Sequence, residues 1–216
     1  MTVKRENAAT PENRRTAPRT QAERSAATRE ALLAAARELF ADSGYAATGR
    51  EQIAERAGVT RGALYHHFSS KEALFRAVVE SLEQQACAQI ATAAMRASDP
   101  LDQLRRGCAA FLDSALEPAF QRIVLVDGPA VLGWQAWREI DADNGAALLR
   151  EGLAHVLPPG SAESGSVEVL TRLLLGALNE AAFLVANDPS PRRTRRDVGR
   201  SVDDLLSALR AHRESD

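Results

Sequence analysis

The chain has 216 residues and a net charge of only −2, from 27 Lys and Arg against 29 Asp and Glu, which excludes a protein that coats nucleic acid through bulk positive charge. The charge is unevenly placed, with 13 basic and 9 acidic side chains in residues 1–76 and 14 and 20 in residues 77–216, so phosphate is favoured at one end only. No uninterrupted apolar run approaches the ~20 residues that span a bilayer, and the polar, Arg-bearing N-terminus lacks the apolar centre of a signal peptide, so the expectation is a cytoplasmic protein with no membrane partner.

In chain order, residues 1–23 hold Lys4, Arg5, Arg14, Arg15 and Arg19 and few apolar side chains. They bury too little to offset ordering entropy and read as a disordered basic arm, either a plain solvated tail or an extra phosphate contact. Residues 24–70 read as a small helical head. Its first helix runs from Ser25 to Asp42, with Leu32, Leu33, Ala36, Leu39 and Phe40 on the buried face and Gly44 ending it. The segment 48–71, TGREQIAERAGVTRGALYHHFSSK, then reads as a helix-turn-helix. Thr48 and Glu51 have capping-box spacing, Ile53, Ala54 and Ala57 form an apolar stripe, and Gly58 suits a left-handed stop. Thr60 caps the second helix, whose Leu64 and Phe68 face the core while Thr60, Arg61, Gly62, Tyr65, His66 and His67 stay outside.

Residues 71–216 read as a second, all-α body. Ser69 or Ser70 caps a long helix, the capping-box spacing fitting Ser69 with Glu72, and Leu74, Phe75, Val78, Val79, Leu82, Ala86 and Ile90 form its stripe towards Met95. Asp99-Pro100 starts another helix, and Pro118 opens a short one that is interrupted at Asp127-Gly128-Pro129. A helix from Val131 or Trp134 ends at the break 157–161, and two more cover 166–186 and the stretch bearing Val198 to Leu209. No period-two strand pattern occurs, so the fold class expected is all-α.

From Thr28 to Leu74 the sequence resembles the N-terminal domain of the TetR family of transcriptional regulators. The resemblance rests on Leu39-Phe40-Ala41-Asp42-Ser43-Gly44-Tyr45, on Ile53-Ala54-Glu55-Arg56-Ala57-Gly58-Val59, on Gly62-Ala63-Leu64-Tyr65-His66-His67-Phe68 and on Ser70-Lys71-Glu72-Ala73-Leu74. It implies a homodimeric repressor that leaves a palindromic DNA operator when a small effector binds the body. By that carry-over Arg61 contacts base edges, Thr60, Gly62 and Tyr65 follow the major groove, and Thr48, Arg50, His67 and Lys71 hold phosphates.

Catalytic, cofactor and metal readings find no support. No phosphate-binding glycine loop, nucleophile elbow or zinc-protease motif is present, and His66 and His67 diverge on a helix. The acidic residues are read as lying on solvent faces, Cys87 and Cys108 as reduced core residues, and Arg192, Arg193, Arg195 and Arg196 as a solvated face. Phe111, Phe120, Trp134, Trp137 and Phe183 serve equally as plain core or as an aromatic pocket. The family resemblance favours the pocket, hence an apolar or aromatic effector. Leu170, Leu174, Leu178, Val202, Leu205 and Leu209 are expected in the dimer interface, because helices so apolar need cover. A DNA-binding activator or architectural protein without a small-molecule response is the second reading, and an all-α enzyme or carrier the third.

Overall fold

The computed structural model describes residues 20–157 and 165–213, and the described residues are helical with no strand. The basic arm expected at 1–23 therefore lies almost wholly outside them, and its last residues belong to a helix instead. Thr20 caps α1 (Gln21–Ala47), its hydroxyl accepting from the Glu23 amide at 3.2 Å while the Glu23 carboxylate accepts from the Thr20 amide at 2.7 Å. That reciprocal pair starts the helix four residues before Ser25. Gly44 interrupts it at φ +78°, ψ 167°, and one further turn carries the chain to Ala47.

The head continues with α2 (Arg50–Arg56) and α3 (Arg61–His67). The cap of α2 is not the Thr48–Glu51 pair. Gly49 is the capping residue, its amide donating to Gln52 Oε1 at 2.7 Å. Thr48 is buried and closes α1, its hydroxyl donating to the carbonyls of Gly44 at 2.8 Å and Leu39 at 3.2 Å. Two glycines framing a threonine shift the start by one residue, because Gly49 fits the extended cap without a side chain. The turn after α2 follows expectation: Gly58 has φ +66°, and the Val59 amide donates back to the Ala54 carbonyl at 3.0 Å. Thr60 caps α3 by accepting from the Ala63 amide at 3.2 Å.

The body begins with α4 (Lys71–Ala94), capped by Ser70, the second of the two serines expected there, through the Ala73 amide at 2.9 Å; the Ser69–Glu72 box is not the cap. Next is α5 (Pro100–Ser114), opened by Asp99 and with Pro100 in the first turn, where its missing amide costs nothing. A π-helical segment, π1 (Phe120–Asp127), runs directly into α6 (Gly128–Leu132). No interruption falls at Asp127-Gly128-Pro129, since Pro129 occupies a first-turn position, and the break comes at Gly133, φ +81°. Then α7 (Trp134–Asp141), a second π-helical segment π2 (Ala142–Ala146) and α8 (Ala147–Val156) form one continuous rod. The last two helices are α9 (Ser166–Asn187) and α10 (Pro191–Arg213).

Two apolar cores result. One joins the head to the upper body through Leu32, Phe40, Ile53, Leu64, Leu74, Phe75, Val78, Ile123 and Trp137. The other is formed by α5, α8, α9 and α10 around Leu104, Leu112, Leu153, Leu178 and Leu206. Phe111 packs against both.

The head is tied to the body twice: through α4, and through π1. The Asp127 carboxylate accepts from the Tyr45 amide at 2.8 Å, and the Arg122 guanidinium fills the space that a Cβ on Gly44 would take. Gly44→Ala should therefore cost about 1–3 kcal/mol, from the left-handed backbone and the displaced Arg122 together. Urea denaturation is expected to show a lower midpoint; an unchanged midpoint would contradict this account of the joint.

Candidate nucleic-acid interface and ligand cavity

The outer face of the head is polar and basic. Tyr65 stands exposed on α3 with the Arg50 guanidinium 4.4 Å and the Arg61 guanidinium 5.8 Å from its ring centroid. The geometry organises both cations on one aromatic plate. Arg61 also pairs with Glu51 at 2.9 Å, both side chains being largely exposed. Such a pair contributes little to stability and releases readily, so Arg61 is tethered, not committed. Lys71 lies with its ammonium 4.2 Å from the Tyr45 ring centroid, and partial burial lowers its pKa. Gly62 leaves the start of α3 open, with nothing but the Thr60 hydroxyl near the place of a Cβ. His67 is half-buried at the end of α3.

Seven of the eight residues expected to face DNA thus lie on or beside one surface built by α2, α3 and the start of α4. Thr48 does not join them, because its hydroxyl is spent inside the head. Glu51, expected from the sequence as the capping partner of Thr48, instead holds Arg61 in place. Its position three residues after Thr48 signals a capping box and not a contact with α3.

The body encloses a cavity of about 270 Å³ between α4, α5, π2, α8 and α9. Ile90, Leu104, Phe111, Leu149, Leu175 and Leu178 supply much of its apolar wall, and exposed Met95 and His155 mark its mouth. Of the five aromatic residues expected to line a pocket, only Phe111 does so. Trp137 is packed in the upper core, its indole donating to the Val124 carbonyl at 2.9 Å and its ring 5.7 Å from that of Phe183. Trp134 is 58% exposed, and Phe120 is buried in the same upper core as Trp137. A close aromatic cluster here fills a core, since its one polar atom is already satisfied.

The inner end of the cavity carries two carboxyls that the sequence reading placed in solvent. Glu83 is 4% exposed and Asp141 3% exposed. Asp141 Oδ2 accepts from Asn179 Nδ2 at 2.7 Å. Burial chiefly raises the Asp141 pKa, opposed by Asn179 and Arg138. Burial, with Asp141 adding, pushes Glu83 up to about 8. The signal was present in the helical register: Glu83 follows Val79 by four residues and precedes Ile90 by seven, on the buried stripe. Cys87 and Cys108 also reach the cavity, and burial pushes them up to about 11 and about 12, so they are thiols without nucleophilic character.

The expected interface leucines divide. Leu174, Leu178 and Val202 are buried in the protomer's own lower core, and Leu170 and Leu209 pack against it. Only Leu205 faces out. Val169, Leu173 and Leu184 on α9 accompany it, each more than half exposed. The helix α9 is long and apolar enough to cross a membrane by length and composition, but its buried face is shared between the two cores. In the Arg192–Arg196 run, Arg195 is no solvated residue: its guanidinium donates to Asp113 at 2.6 Å and to the Ala109 carbonyl at 2.8 Å.

Known proteins share this arrangement. Residues 32–78 match the profile of bacterial regulatory proteins of the tetR family, and residues 101–209 match a tetracyclin repressor-like C-terminal domain. A TetR-family transcriptional regulator from Pectobacterium atrosepticum is 34% identical, with a TM-score of 0.72 over 88% of this chain and 97% of that one. RolR, solved in complex with resorcinol, has a TM-score of 0.65 at 18% identity, over 89% of this chain and 93% of that one, a likeness of fold. The transcriptional activator FasR of Mycolicibacterium smegmatis is 42% identical over 82 residues, 38% of this chain and 37% of FasR. The regulator TtgR of Pseudomonas putida is 46% identical over 57 residues, 26% of this chain and 27% of TtgR. The chain thus aligns with less than half the length of the curated relatives it matches.

The buried carboxyl sets a pH dependence. Glu83 binds its proton more tightly folded than unfolded, so its contribution is fully present below about 4.5 and is lost as pH rises through about 8. Stability should fall across that window, and Glu83→Gln, which keeps the shape without the acid, should flatten the fall by on the order of 2 kcal/mol. Denaturation curves measured at both ends of the window test this; parallel losses in the two proteins would contradict it.

Proposed function

Because the chain belongs to the TetR family of transcriptional regulators, we propose that it is a homodimeric repressor that releases a two-fold symmetric DNA operator when a small molecule fills its body cavity. The observation that carries this reading is the placement of α4. Its first turn borders the DNA-facing surface at Lys71, and its second half walls the cavity from Glu83 to Met95. Arg61 reads a base edge after leaving Glu51, Thr60, Gly62 and Tyr65 follow the groove, and Arg50, His67 and Lys71 hold phosphates. DNA as partner places the work in the cytoplasm. No catalytic role, cofactor or metal is proposed.

The exposed apolar faces of α9 and α10 support self-association. Val169, Leu173, Leu184 and Leu205 are covered by a second copy, which presents the same patch back through a two-fold axis. FasR is named an activator, which keeps activation as the second reading. Transcription from the neighbouring promoter, with and without the protein, separates the two signs.

Two sets of variants test the proposal. Arg61→Ala should cost about 1–3 kcal/mol of operator binding and relax preference at one base per half-site. Lys71→Ala should weaken all sequences alike and lower the salt slope by about 1. Equal effects of both on every sequence would refute the assignment. For the dimer, Leu173→Glu with Leu205→Glu should give a folded monomer by light scattering. Leu174→Glu, by contrast, should unfold the protomer, since that residue lies in its own core. A double variant that stays dimeric would place the interface elsewhere.

A further inference from the structure

The inner end of the cavity is chemically unlike its walls. Glu83 is more than nine-tenths buried, and no hydrogen bond reaches its carboxyl from any described residue. Across from it, Asp141 has one oxygen held by Asn179, and Gly145 leaves open space beside the other. Among the described residues no Lys or Arg lines the cavity, and the one basic side chain on it, His155, sits at the exposed mouth. Neither carboxyl is sealed away from the cavity they line, so a donor that fills the cavity can reach both. An anionic ligand group would add repulsion at this end, whereas a donor with positive charge would satisfy both acids.

We infer that the cavity is shaped for an amine on an apolar body, its ammonium seated between Glu83 and Asp141 and its hydrocarbon against Leu104, Phe111 and Leu178. The inference rests on the reading of this cavity as the effector site and adds the chemical class of the effector. The titratable groups that line the cavity with Glu83 are Cys87, Cys108, Asp141, Glu151 and His155; of these Asp141 acts on Glu83 directly, and Arg138 acts on Asp141. None is a buried cation that would already neutralise the pair.

Binding then moves a proton. Before binding, the Glu83 carboxyl is largely protonated at neutral pH. An ammonium ion, already protonated in water, favours the carboxylate, so Glu83 gives its proton to the buffer as the ion pair forms. Affinity for an amine should rise with pH until the amine itself loses its charge.

Isothermal titration of the full-length protein with 3-phenylpropylamine, 3-phenylpropan-1-ol and 3-phenylpropanoate tests this in phosphate and in Tris at neutral pH. The amine should bind about tenfold or more tightly than either isostere, with an enthalpy that differs between buffers and reports proton release. Glu83→Gln should abolish both the preference and the buffer dependence, and an unchanged helical circular-dichroism spectrum shows that the variant is folded. Equal or better binding of the alcohol or the acid, no binding of the amine, or an amine affinity indifferent to Glu83→Gln would each overturn the inference. Operator release is read separately with the same compounds. Proton-releasing amine binding that leaves operator affinity constant upholds the amine site and refutes the repressor switch. Release driven by the acid or alcohol without amine preference does the reverse.

Discussion

One unbroken helix sets the terms for the rest of this molecule. With 24 residues α4 is roughly 36 Å long, and it contributes side chains to the head core, to the upper body core and to the cavity wall. Leu74 and Phe75 pack beneath α1, Val78, Val79 and Leu82 continue the same core, and Glu83, Cys87 and Ile90 face the cavity. A helix packed over this span moves as a rod, so a displacement at one end is felt at the other. The hydrogen bond from the Tyr45 amide to Asp127 adds a second link between head and body. The head is therefore held at a definite angle.

The cavity lies where the two cores meet, with Phe111 reaching both. It is flanked by π2, where the backbone departs from regular α-helix, and such departures recur at functional sites. The extra residue in that stretch places Asp141 and Gly145 along the cavity without ending the α7–α8 rod. A polar pair at an apolar seam destabilises the empty protein and becomes useful once a partner is present, a common relation between buried charge and function.

Much of the fold could be read from residues. Apolar spacing and punctuating Gly and Pro located nearly every helix, and the cap at Thr60 and the left-handed Gly58 are seen where the sequence placed them. Errors arose where two local signals competed. Thr48 and Gly49 both fit a cap, and the neighbouring Gly44 draws the Thr48 hydroxyl inward. Pro129 reads as a break but fits a first helical turn. The cavity was less legible than the head, because which apolar residues line a void depends on how distant helices meet. Tryptophans drew attention as a pocket although Trp137 completes a core. Glu83 and Asp141 carry charge, which points to solvent, yet both are buried, and for Glu83 the helical register already says so.

The central claim is that paired heads are held at a fixed separation for reading DNA. Selection of bound sequences from random duplexes by the purified full-length protein tests it most directly. The account requires the selected DNA to converge on two inverted half-sites with a single spacing, close to one helical turn of about 34–36 Å between centres or a multiple of it. Convergence on a lone half-site, half-sites at freely varying spacings, or no common sequence at all would contradict it.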